Sequence, residues 1–493
     1  MSAEETDSYA RAGRKLTILW VVTMLALFAV MIVLGITMRL AQGHAIELQP
    51  TTFYAIMTMH GLGMAGTLYS GALAALWYVL ARHVRLSLVV YRIALGLIVL
   101  GAVGLVAATL IGGFGPGWYL LYPLPFVNAA WPAWTTGVVI GSMMLLGVAW
   151  LLIQFDMLRA TVAKYGMGSL LGIRVLRGGS GDDLPSVVLI ASVCSIAAAV
   201  GTVVGAATMM IYFFKWMTPE TDFDPLLLKN MMLFFGHVIV NIAMYCGIGV
   251  VYELMPSFSK HPWKVNRLVA IAWNATLFAI LFAYFHHLYM DFGQKNALQV
   301  FGQFASYLSA LPATAVTIAG LFTQVHRSGI KWGFTPLSFF LGLMGWVIGG
   351  LAAVVDATIS VNLVFHNTLW VPGHFHTYFL VGFVLIFLGF MHWLLGTKVK
   401  SLSFASLALM LVGGYGFVLM FYLGGVSSVP RRYASYQSIP VEQVAETGTK
   451  LATYGAAFGS TFLLGTLLFA VALLLRPKLS ESQETREPAA AGH

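Results

Sequence analysis

Long apolar stretches recur along almost the whole chain, each separated from the next by a short polar segment. An apolar run of about 20 residues is long enough to cross a bilayer as a helix. Only 9% of the 493 residues are charged and 59% are hydrophobic, whereas a water-soluble domain carries about 25% charged residues. The sequence therefore predicts a protein that is surrounded mostly by lipid.

The apolar runs predict twelve membrane spans. They cover residues 15–39, 53–81, 87–113, 132–155, 186–215, 226–256, 266–289, 299–324, 334–361, 369–395, 402–424 and 450–475. Helices are expected in all of them, because an open sheet edge leaves backbone groups unsatisfied in lipid and a barrel needs an alternating pattern. The predicted fold class is an all-α membrane protein, a bundle of about twelve transmembrane helices.

The predicted spans form one twelve-helix domain at 15–476, with a short polar segment on either side. Residues 1–14 are expected to form a cytoplasmic N-terminal segment, and 477–493 a cytoplasmic disordered tail. No cleavable signal peptide is expected, since the N-terminus is acidic and the first apolar run is about 24 residues long.

Basic residues are unevenly divided between the two sides of the predicted bundle. With the N-terminus inside, 20 of the 27 Lys and Arg residues fall in inner segments. The positive-inside rule then places both termini in the cytoplasm, and a prokaryotic inner membrane is the expected location. The net charge of +9 reflects this topology, and no nucleic-acid partner is expected.

Six of the 13 histidines lie inside predicted spans, although a polar side chain in lipid is costly and indicates a functional role. They are His60, His237, His286, His287, His374 and His376. At a rise of 1.5 Å per residue, their depths fall within roughly 5–16 Å of the outer surface. A single buried histidine is often a structural residue that donates to a backbone carbonyl, but six at a common depth indicate bound metals.

Helix geometry divides the histidines into separate sites. His374 and His376 are about 200° apart around their helix, so they can bind two different metals but not the same one. Imidazole is a common axial ligand of haem iron. His376 facing His60 would give a bis-histidine haem suited to electron transfer, and His374 would leave a second haem with an open face for a gas.

His286 and His287 are neighbours, about 100° apart, at the end of a helix. Both can turn toward one ion, with His237 as a third ligand. Three imidazoles without a thiolate suit copper or zinc and leave a position open for substrate. The two cysteines, Cys194 and Cys246, lie in apolar runs and form no metal-binding or disulfide framework.

Four segments resemble motifs of haem-copper oxidase subunit I. FFGHVIVN, FAYFHHLYMDFG, LVFHNTLWVPGHFHTYFLVG and SSVPRRYA are similar to the family's helix 6, 7, 10 and post-helix-11 motifs, and the last two look most like the B-type branch. The similarity is dense from about 220 to 435, and HGLGMAG around His60 is the main match before that. The resemblance implies the fold of this family, with two haems and one copper ion as cofactors.

The resemblance also implies a role for each histidine. The low-spin haem, expected to be b-type, would be held by His60 and His376, and the high-spin haem, of b, o or a type, by His374. Copper would be held by His237, His286 and His287. Arg431 and Arg432 would neutralise haem propionates. A solvated loop is the other interpretation of this pair, but its outer position, against the positive-inside bias, favours an anionic partner.

Departures from the family pattern bear on the expected reaction. Oxygen-reducing members of the A and B branches carry a tyrosine four residues after the first copper histidine, and Asn241 occupies this position here. Asparagine can neither form a stable radical nor give up a proton at neutral pH. Tyr284, two residues before His286, is a candidate replacement, although a packing or haem-contacting role is the commoner one for such an aromatic.

Joining two NO molecules into N2O needs two electrons and two protons but no tyrosyl radical. The favoured hypothesis is therefore the catalytic subunit of a respiratory oxidoreductase that reduces nitric oxide, an offshoot of the B branch. The alternative is a cytochrome c oxidase that reduces O2 to water with proton translocation.

The chain has no C-x-x-x-C motif for a dinuclear copper centre and no C-x-x-C-H motif for covalent haem. A second subunit carrying copper or haem, or a soluble cytochrome c, is therefore expected to deliver electrons from outside. A twelve-span secondary transporter is a rival of another class, but broken helices and inverted repeats are not evident. A membrane cytochrome that only passes electrons would have no use for the group at His237, His286 and His287.

Overall fold

A computed structural model of the chain describes residues 3–127, 130–291 and 293–475. Within these residues, twelve helices are long and apolar enough to cross a membrane. They are α1 (Glu4–Gln42), α2 (Pro50–Leu80), α3 (Leu88–Ile111), α4 (Ala133–Tyr165), α5 (Ser186–Met217), α6 (Pro225–Ser259), α7 (Arg267–Leu288), α8 (Asn296–Val325), α9 (Phe334–Ala357), α10 (Trp370–Leu395), α11 (Lys400–Val426) and α12 (Glu442–Leu474). The predicted fold class is confirmed, and the predicted tail at 477–493 lies outside the described residues.

Some helix ends differ from those that hydrophobicity predicts. α1 begins at Glu4 rather than near residue 15, and α12 begins at Glu442 rather than near residue 450. Both first turns carry acidic side chains, which stabilise the positive end of the helix dipole. α9 ends at Ala357 instead of residue 361, and a short helix, Ile359–Phe365, follows it. An apolar run marks the part of a helix that lies in lipid, whereas capping decides where the helix ends.

Side-chain caps fix the starts of two helices that carry histidines. The Asp224 carboxylate accepts hydrogen bonds from the backbone N–H groups of Leu226 and Leu227 at 2.8 and 3.3 Å, at the start of α6. The Asn266 side-chain oxygen accepts from the Val269 N–H at 2.9 Å, at the start of α7. Each cap satisfies N–H groups that have no partner within the helix, and so sets where the helix begins.

The helix α7 tightens just before the histidine pair. Its regular α-helical part ends at Ile280, and a 3₁₀ turn follows over Ala283–Leu288. Such a turn has 3.0 residues per turn, so neighbouring side chains are about 120° apart rather than about 100°. The predicted separation of His286 and His287 is therefore too small, yet their ring centroids still lie only 4.1 Å apart.

Glycines let α9 approach α10 closely. A Cβ atom at Gly345 would clash with the Val381 carbonyl, and a Cβ atom at Gly349 would lie 2.9 Å from backbone atoms of Tyr378. At this contact α10 contains a widened π turn at Phe379–Phe383. The close approach fixes the helix that carries two of the six histidines.

An antiparallel bridge between Thr368 and Pro430 joins the segment before α10 to the segment after α11. Next to it, the Arg431 N–H donates to the Asn367 carbonyl at 2.9 Å. The bridge holds the arginine-bearing loop against the start of α10.

Candidate metal and cofactor site

His60 on α2 and His376 on α10 face each other inside the bundle. Their ring centroids are 6.3 Å apart and their planes differ by 16°. The Nδ1 atom of His60 donates to the Met31 carbonyl at 2.8 Å, and that of His376 to the Pro372 carbonyl at 2.7 Å. Because a carbonyl only accepts, the proton lies on Nδ1 in both rings and Nε2 keeps its lone pair. Two nearly parallel imidazoles with this tautomer can bind a planar metal complex between them.

His374 lies on another side of α10 from His376, as the helix geometry predicts. Its Nδ1 atom donates to the carbonyl of Gly349 on α9 at 3.1 Å. The same reasoning leaves a lone pair on Nε2. α10 therefore presents one imidazole to each of two separate sites.

His237, His286 and His287 form a compact group. One nitrogen from each ring lies within 4.8 Å of the others. The ring centroid of His237 is 5.0 Å from that of His286 and 5.5 Å from that of His287. Three imidazole nitrogens at these separations can bind one metal ion, and copper and zinc are the ions that this ligand type suits.

Ser306 on α8 orients one ring of this group. The His286 Nδ1 lies 3.0 Å from the Ser306 Oγ. The single hydroxyl hydrogen of Ser306 is directed to the carbonyls of Gly302, at 2.7 Å, and Ala283, at 3.1 Å. The serine oxygen therefore accepts from the histidine Nδ1–H, which leaves the His286 Nε2 lone pair for a metal.

A cavity of about 590 Å³ runs between the two groups of histidines. Its lining is mostly apolar and includes all six rings: His60, His237, His286, His287, His374 and His376. Arg39, Arg431 and Arg432 also line it. A cavity with an apolar lining and a few polar groups is typical of cofactor sites.

The arginine pair lies at the rim of this cavity. The Arg432 guanidinium stacks on the Tyr119 ring at 4.2 Å. Burial, and then the charge of the neighbouring Arg432, lower the pKa of Arg431 to about 10. Two adjacent guanidinium groups at the edge of an apolar cavity suit an anionic group, which would relieve their mutual repulsion.

Arg39, near the end of α1, is a third arginine of the cavity that the sequence analysis did not select. It is 4% exposed, and its Nη1 donates to the Gln42 side-chain oxygen at 2.7 Å and to the Tyr436 hydroxyl at 3.2 Å. Its guanidinium also lies 4.8 Å from the centroid of the Phe421 ring. An arginine inside an apolar run was the available signal, but sequence alone cannot tell a buried arginine from one that reaches the membrane surface.

Asn241 and Tyr284 take different positions relative to the histidines. Asn241 lines the cavity, and its Nδ2 donates to the His237 carbonyl at 2.8 Å and lies 3.3 Å from the His237 Nε2. The Tyr284 hydroxyl donates to the Asn230 side-chain oxygen at 3.3 Å. Tyr284 itself is not among the residues that line the cavity. Among the described residues, three phenols line the cavity: Tyr119, Tyr245 and Tyr378, the last of which is four residues after His374.

Several buried polar atoms fit a bound cofactor. On the described residues that line the cavity, the buried nitrogens without a hydrogen-bond partner include His237 Nδ1, Arg39 Nη2 and Arg431 Nε. A buried polar atom without a partner costs about 1–3 kcal/mol. Metal coordination would satisfy the first, and acceptor groups on a porphyrin would satisfy the other two. The residues present therefore fit two haems and one copper ion.

The fold and the site together define a membrane-embedded helical bundle with an internal, histidine-rich metal and cofactor site. The chain belongs to the family described as "Cytochrome C and Quinol oxidase polypeptide I", whose sequence profile matches residues 15–459. The predicted membership of the haem-copper oxidase superfamily is confirmed. This family implies haem and copper, and it argues against the transporter and the simple membrane cytochrome.

Individual relatives are about one quarter identical to the chain over the aligned residues. A protein named "Cytochrome c oxidase subunit 1" from Thermostichus vulcanus is 24% identical over 364 residues, which cover 70% of this chain and 62% of the relative. A "Heme-copper oxidase subunit I+III" from Aeropyrum pernix is 26% identical over 260 residues, or 50% of this chain and 30% of that one. The chain thus matches less than two thirds of the length of these relatives.

A solved structure has the same fold. A chain of a heme-copper terminal oxidase dimer, determined by cryo-EM, superimposes with a TM-score of 0.76 and 20% identity. The match covers 96% of this chain and 86% of the other. It extends the fold similarity over nearly the whole bundle, including the helices before residue 220, where the sequence motifs are sparse.

Proposed function

We propose that this protein is the catalytic subunit of a respiratory haem-copper oxidoreductase that reduces a small gas. The observation that carries the proposal is the division of the six histidines in one cavity. His376 pairs with His60 on one side of α10, and His374 turns to another side of the same helix. His237, His286 and His287 converge separately.

Each group would hold one cofactor. His60 and His376 would hold a low-spin haem of b type, His374 a high-spin haem of b, o or a type, and His237, His286 and His287 a copper ion. Arg431 and Arg432 would neutralise propionates at the rim. When bound, the high-spin haem and the copper supply the electrons and the coordination positions at which the gas is reduced.

The chain's own residues hold this arrangement in place. The Gly349 carbonyl and the Ser306 hydroxyl each accept a hydrogen bond from an Nδ1–H, and this fixes the orientation of His374 and His286. The apolar lining of the cavity excludes bulk water, which strengthens electrostatic interactions inside it. The protein thus prepares the positions of its ligands before any gas binds.

Nitric oxide is the favoured substrate. The reaction 2 NO + 2 e⁻ + 2 H⁺ → N2O + H2O needs no tyrosyl radical. Asn241 stands next to His237, where a radical-forming tyrosine would be expected, and the Tyr284 hydroxyl is directed to Asn230. This pattern favours an NO-reducing member related to the B-type branch.

Oxygen reduction to water, with proton translocation, is the second candidate. Two observations favour it: relatives of this chain are named as cytochrome c oxidase subunits, and Tyr378 supplies a phenol to the cavity. A phenol can give up both an electron and a proton, which is what cleavage of O2 requires.

Electrons are expected to arrive from a second subunit carrying copper or haem, or from a soluble cytochrome c. The donor would approach the outer side, where Arg431 and Arg432 lie, in a prokaryotic inner membrane with both termini cytoplasmic. A purified complex that keeps this chain together with a haem- or copper-bearing partner would support this assignment.

The deciding experiment is turnover of the purified enzyme on NO and on O2 side by side, with a reduced cytochrome c as donor. We expect faster consumption of NO, with N2O as product, and little O2 uptake. Rapid and complete reduction of O2 to water would overturn the preference for NO. A folded protein without haem bands or copper would overturn the proposed function altogether.

A further inference from the structure

A second cavity, of about 550 Å³, lies at the surface where α2 ends, α3 begins and α4 ends. Arg85, Arg159 and Lys164 line it, and Ala160 and Ala163 form part of its wall. The alanines leave room that longer side chains would fill. Three cations therefore surround an open space at the end of the bundle that the basic residues assign to the cytoplasm.

The carboxylate that pairs with Arg159 does not cancel all of this charge. Asp156 is buried, and it accepts hydrogen bonds from the Ser87 N–H at 2.7 Å and from the Arg159 Nη2 at 2.7 Å. It therefore neutralises Arg159 but not the other two cations. Lys164 donates to the His83 carbonyl at 2.6 Å, and an ammonium group has two further N–H donors.

The second carboxylate nearby is also engaged. Glu253 on α6 pairs with Arg82 at 3.1 Å and with His83 at 2.9 Å. The Arg85 guanidinium lies 5.4 Å from the centroid of the Tyr9 ring. This contact uses the face of the guanidinium group, so the N–H groups at its edge can still donate hydrogen bonds. No carboxylate is among the described residues that line the cavity, so Arg85 and Lys164 give its lining a positive excess.

An apolar strip continues from this cavity toward the middle of the membrane. Val89 and Ile93 on α3 are 63% and 50% exposed, and Phe155 on α4 is 55% exposed. Val89 and Ile93 are four residues apart, as are Phe155 and Arg159, so each pair lies on one face of its helix. α3 packs directly against α4. The cations thus stand at the polar end of a surface that faces lipid.

We propose that this cavity binds an anionic phospholipid. The phosphate and its negatively charged headgroup lie among Arg85, Arg159 and Lys164, where N–H donors form charge-assisted hydrogen bonds with phosphate oxygens. An acyl chain lies along Val89, Ile93 and Phe155. A zwitterionic lipid has no net charge to match the positive excess, so the site distinguishes lipids by headgroup charge. This inference is independent of the gas that the enzyme reduces.

The test compares lipid binding by the full chain and by two double variants. The first is Arg85→Gln with Lys164→Gln, which removes the uncompensated cations but leaves Arg159 to neutralise Asp156. The matched control is Arg174→Gln with Lys331→Gln, two exposed residues in segments that connect membrane helices at the same end of the bundle. Delipidated protein in a neutral detergent is titrated with phosphatidylglycerol, with phosphatidylcholine and with inorganic phosphate. Native mass spectrometry and the shift of the unfolding midpoint are the readouts.

We expect wild-type protein to bind phosphatidylglycerol more tightly than phosphatidylcholine. Loss of two cations should weaken the phosphatidylglycerol affinity about 25-fold, about fivefold for each cation. The control should stay within about twofold of wild type. Should the double variant fail to fold, each single substitution is measured alone, with about a fivefold effect expected.

Three results would overturn the assignment. Equal affinities of wild type and the Arg85/Lys164 variant for phosphatidylglycerol would show that these cations do not bind the headgroup. Equal affinities for phosphatidylglycerol and phosphatidylcholine would show that headgroup charge is not recognised. A stabilisation by inorganic phosphate as large as that by phosphatidylglycerol would identify a phosphate site rather than a lipid site.

Discussion

The hydroxyl of Tyr378 on α10 donates to the side-chain carbonyl oxygen of Asn241 on α6 at 3.4 Å. Tyr245, which also lines the cavity, donates its own hydroxyl hydrogen to the Ser309 carbonyl at 2.7 Å. A phenol therefore reaches the neighbourhood of Asn241 from a different helix than the family pattern leads one to expect.

The first prediction concerns this phenol. Tyr378→Phe should lower any O2 turnover roughly 100-fold, because it removes a group that can supply a proton during reduction. NO turnover, which needs no phenol radical, should fall by less than about threefold. Oxygen uptake and N2O formation, measured on the same preparation, check the two expectations.

Tyr422→Phe is the matched control for that variant. The Tyr422 hydroxyl lies 2.9 Å from the Thr377 hydroxyl, and Tyr422 is not among the residues that line the cavity. Loss of the Tyr422 hydroxyl should leave both O2 turnover and NO turnover unchanged. An O2 turnover of Tyr378→Phe equal to that of Tyr422→Phe would remove Tyr378 from the reaction.

The second prediction restores the residue that the oxygen-reducing branches carry. Asn241→Tyr should raise O2 turnover, since it places a phenol directly beside His237. An increase of roughly 10-fold or more is expected if the missing phenol limits the reaction. Oxygen uptake is the measurement, and Asn241→Phe, which adds the ring without the hydroxyl, is the control. If both variants change O2 uptake to the same extent, the hydroxyl is not what the site lacks.

The third prediction addresses the metal held by the His237 group. Ser306→Ala removes the hydroxyl oxygen that accepts a hydrogen bond from His286 and orients its ring. Removing a hydrogen-bond partner of a metal ligand weakens metal binding about 10–100-fold. Copper content after dialysis against a chelator should therefore fall while haem content stays constant. Ser309→Ala is the control, because its hydroxyl donates to the Ser306 backbone carbonyl and contacts no histidine. Equal copper retention in the two variants would contradict the assigned role of Ser306.

The fourth prediction uses the space beside the low-spin haem ligand. A Cβ atom at Gly35 would lie 2.9 Å from the His60 ring, so Gly35→Ala should displace that ring and cost about 1–3 kcal/mol of stability. The absorbance bands of the low-spin haem should weaken while copper content is kept. Gly96→Ala is the control, since no atom lies within 4 Å of a Cβ there. Unchanged bands in Gly35→Ala would place the low-spin haem elsewhere.

The sequence predicted the helices and the histidine pairs because both follow from regular geometry. Apolar length alone located twelve spans, and the helical twist placed His374 and His376 on different sides of α10. The pairing of His60 with His376 could be predicted because the two residues lie at a common depth in their helices. Such features depend on properties that repeat along the chain, so they can be found without tertiary information.

Other features depend on where helices meet. The 3₁₀ turn at Ala283–Leu288 and the acidic first turns at which α1 and α12 begin are local features that hydrophobicity does not report. Arg39 and Tyr378 become part of the cavity only through the packing of α1 and α10 against their neighbours. Their roles could not be separated from those of other arginines and tyrosines, since membership of a cavity is a tertiary property.

The bridge between Thr368 and Pro430 gives the outer surface a mechanical link to the interior. It joins the loop that bears Arg431 to the segment just before α10, so a displacement of that loop would be passed to the helix that carries His374 and His376. An electron-donor protein that docks on this loop would therefore also displace α10. Under the proposed function, docking would then shift His374 and His376 and so alter the two haems that they would hold.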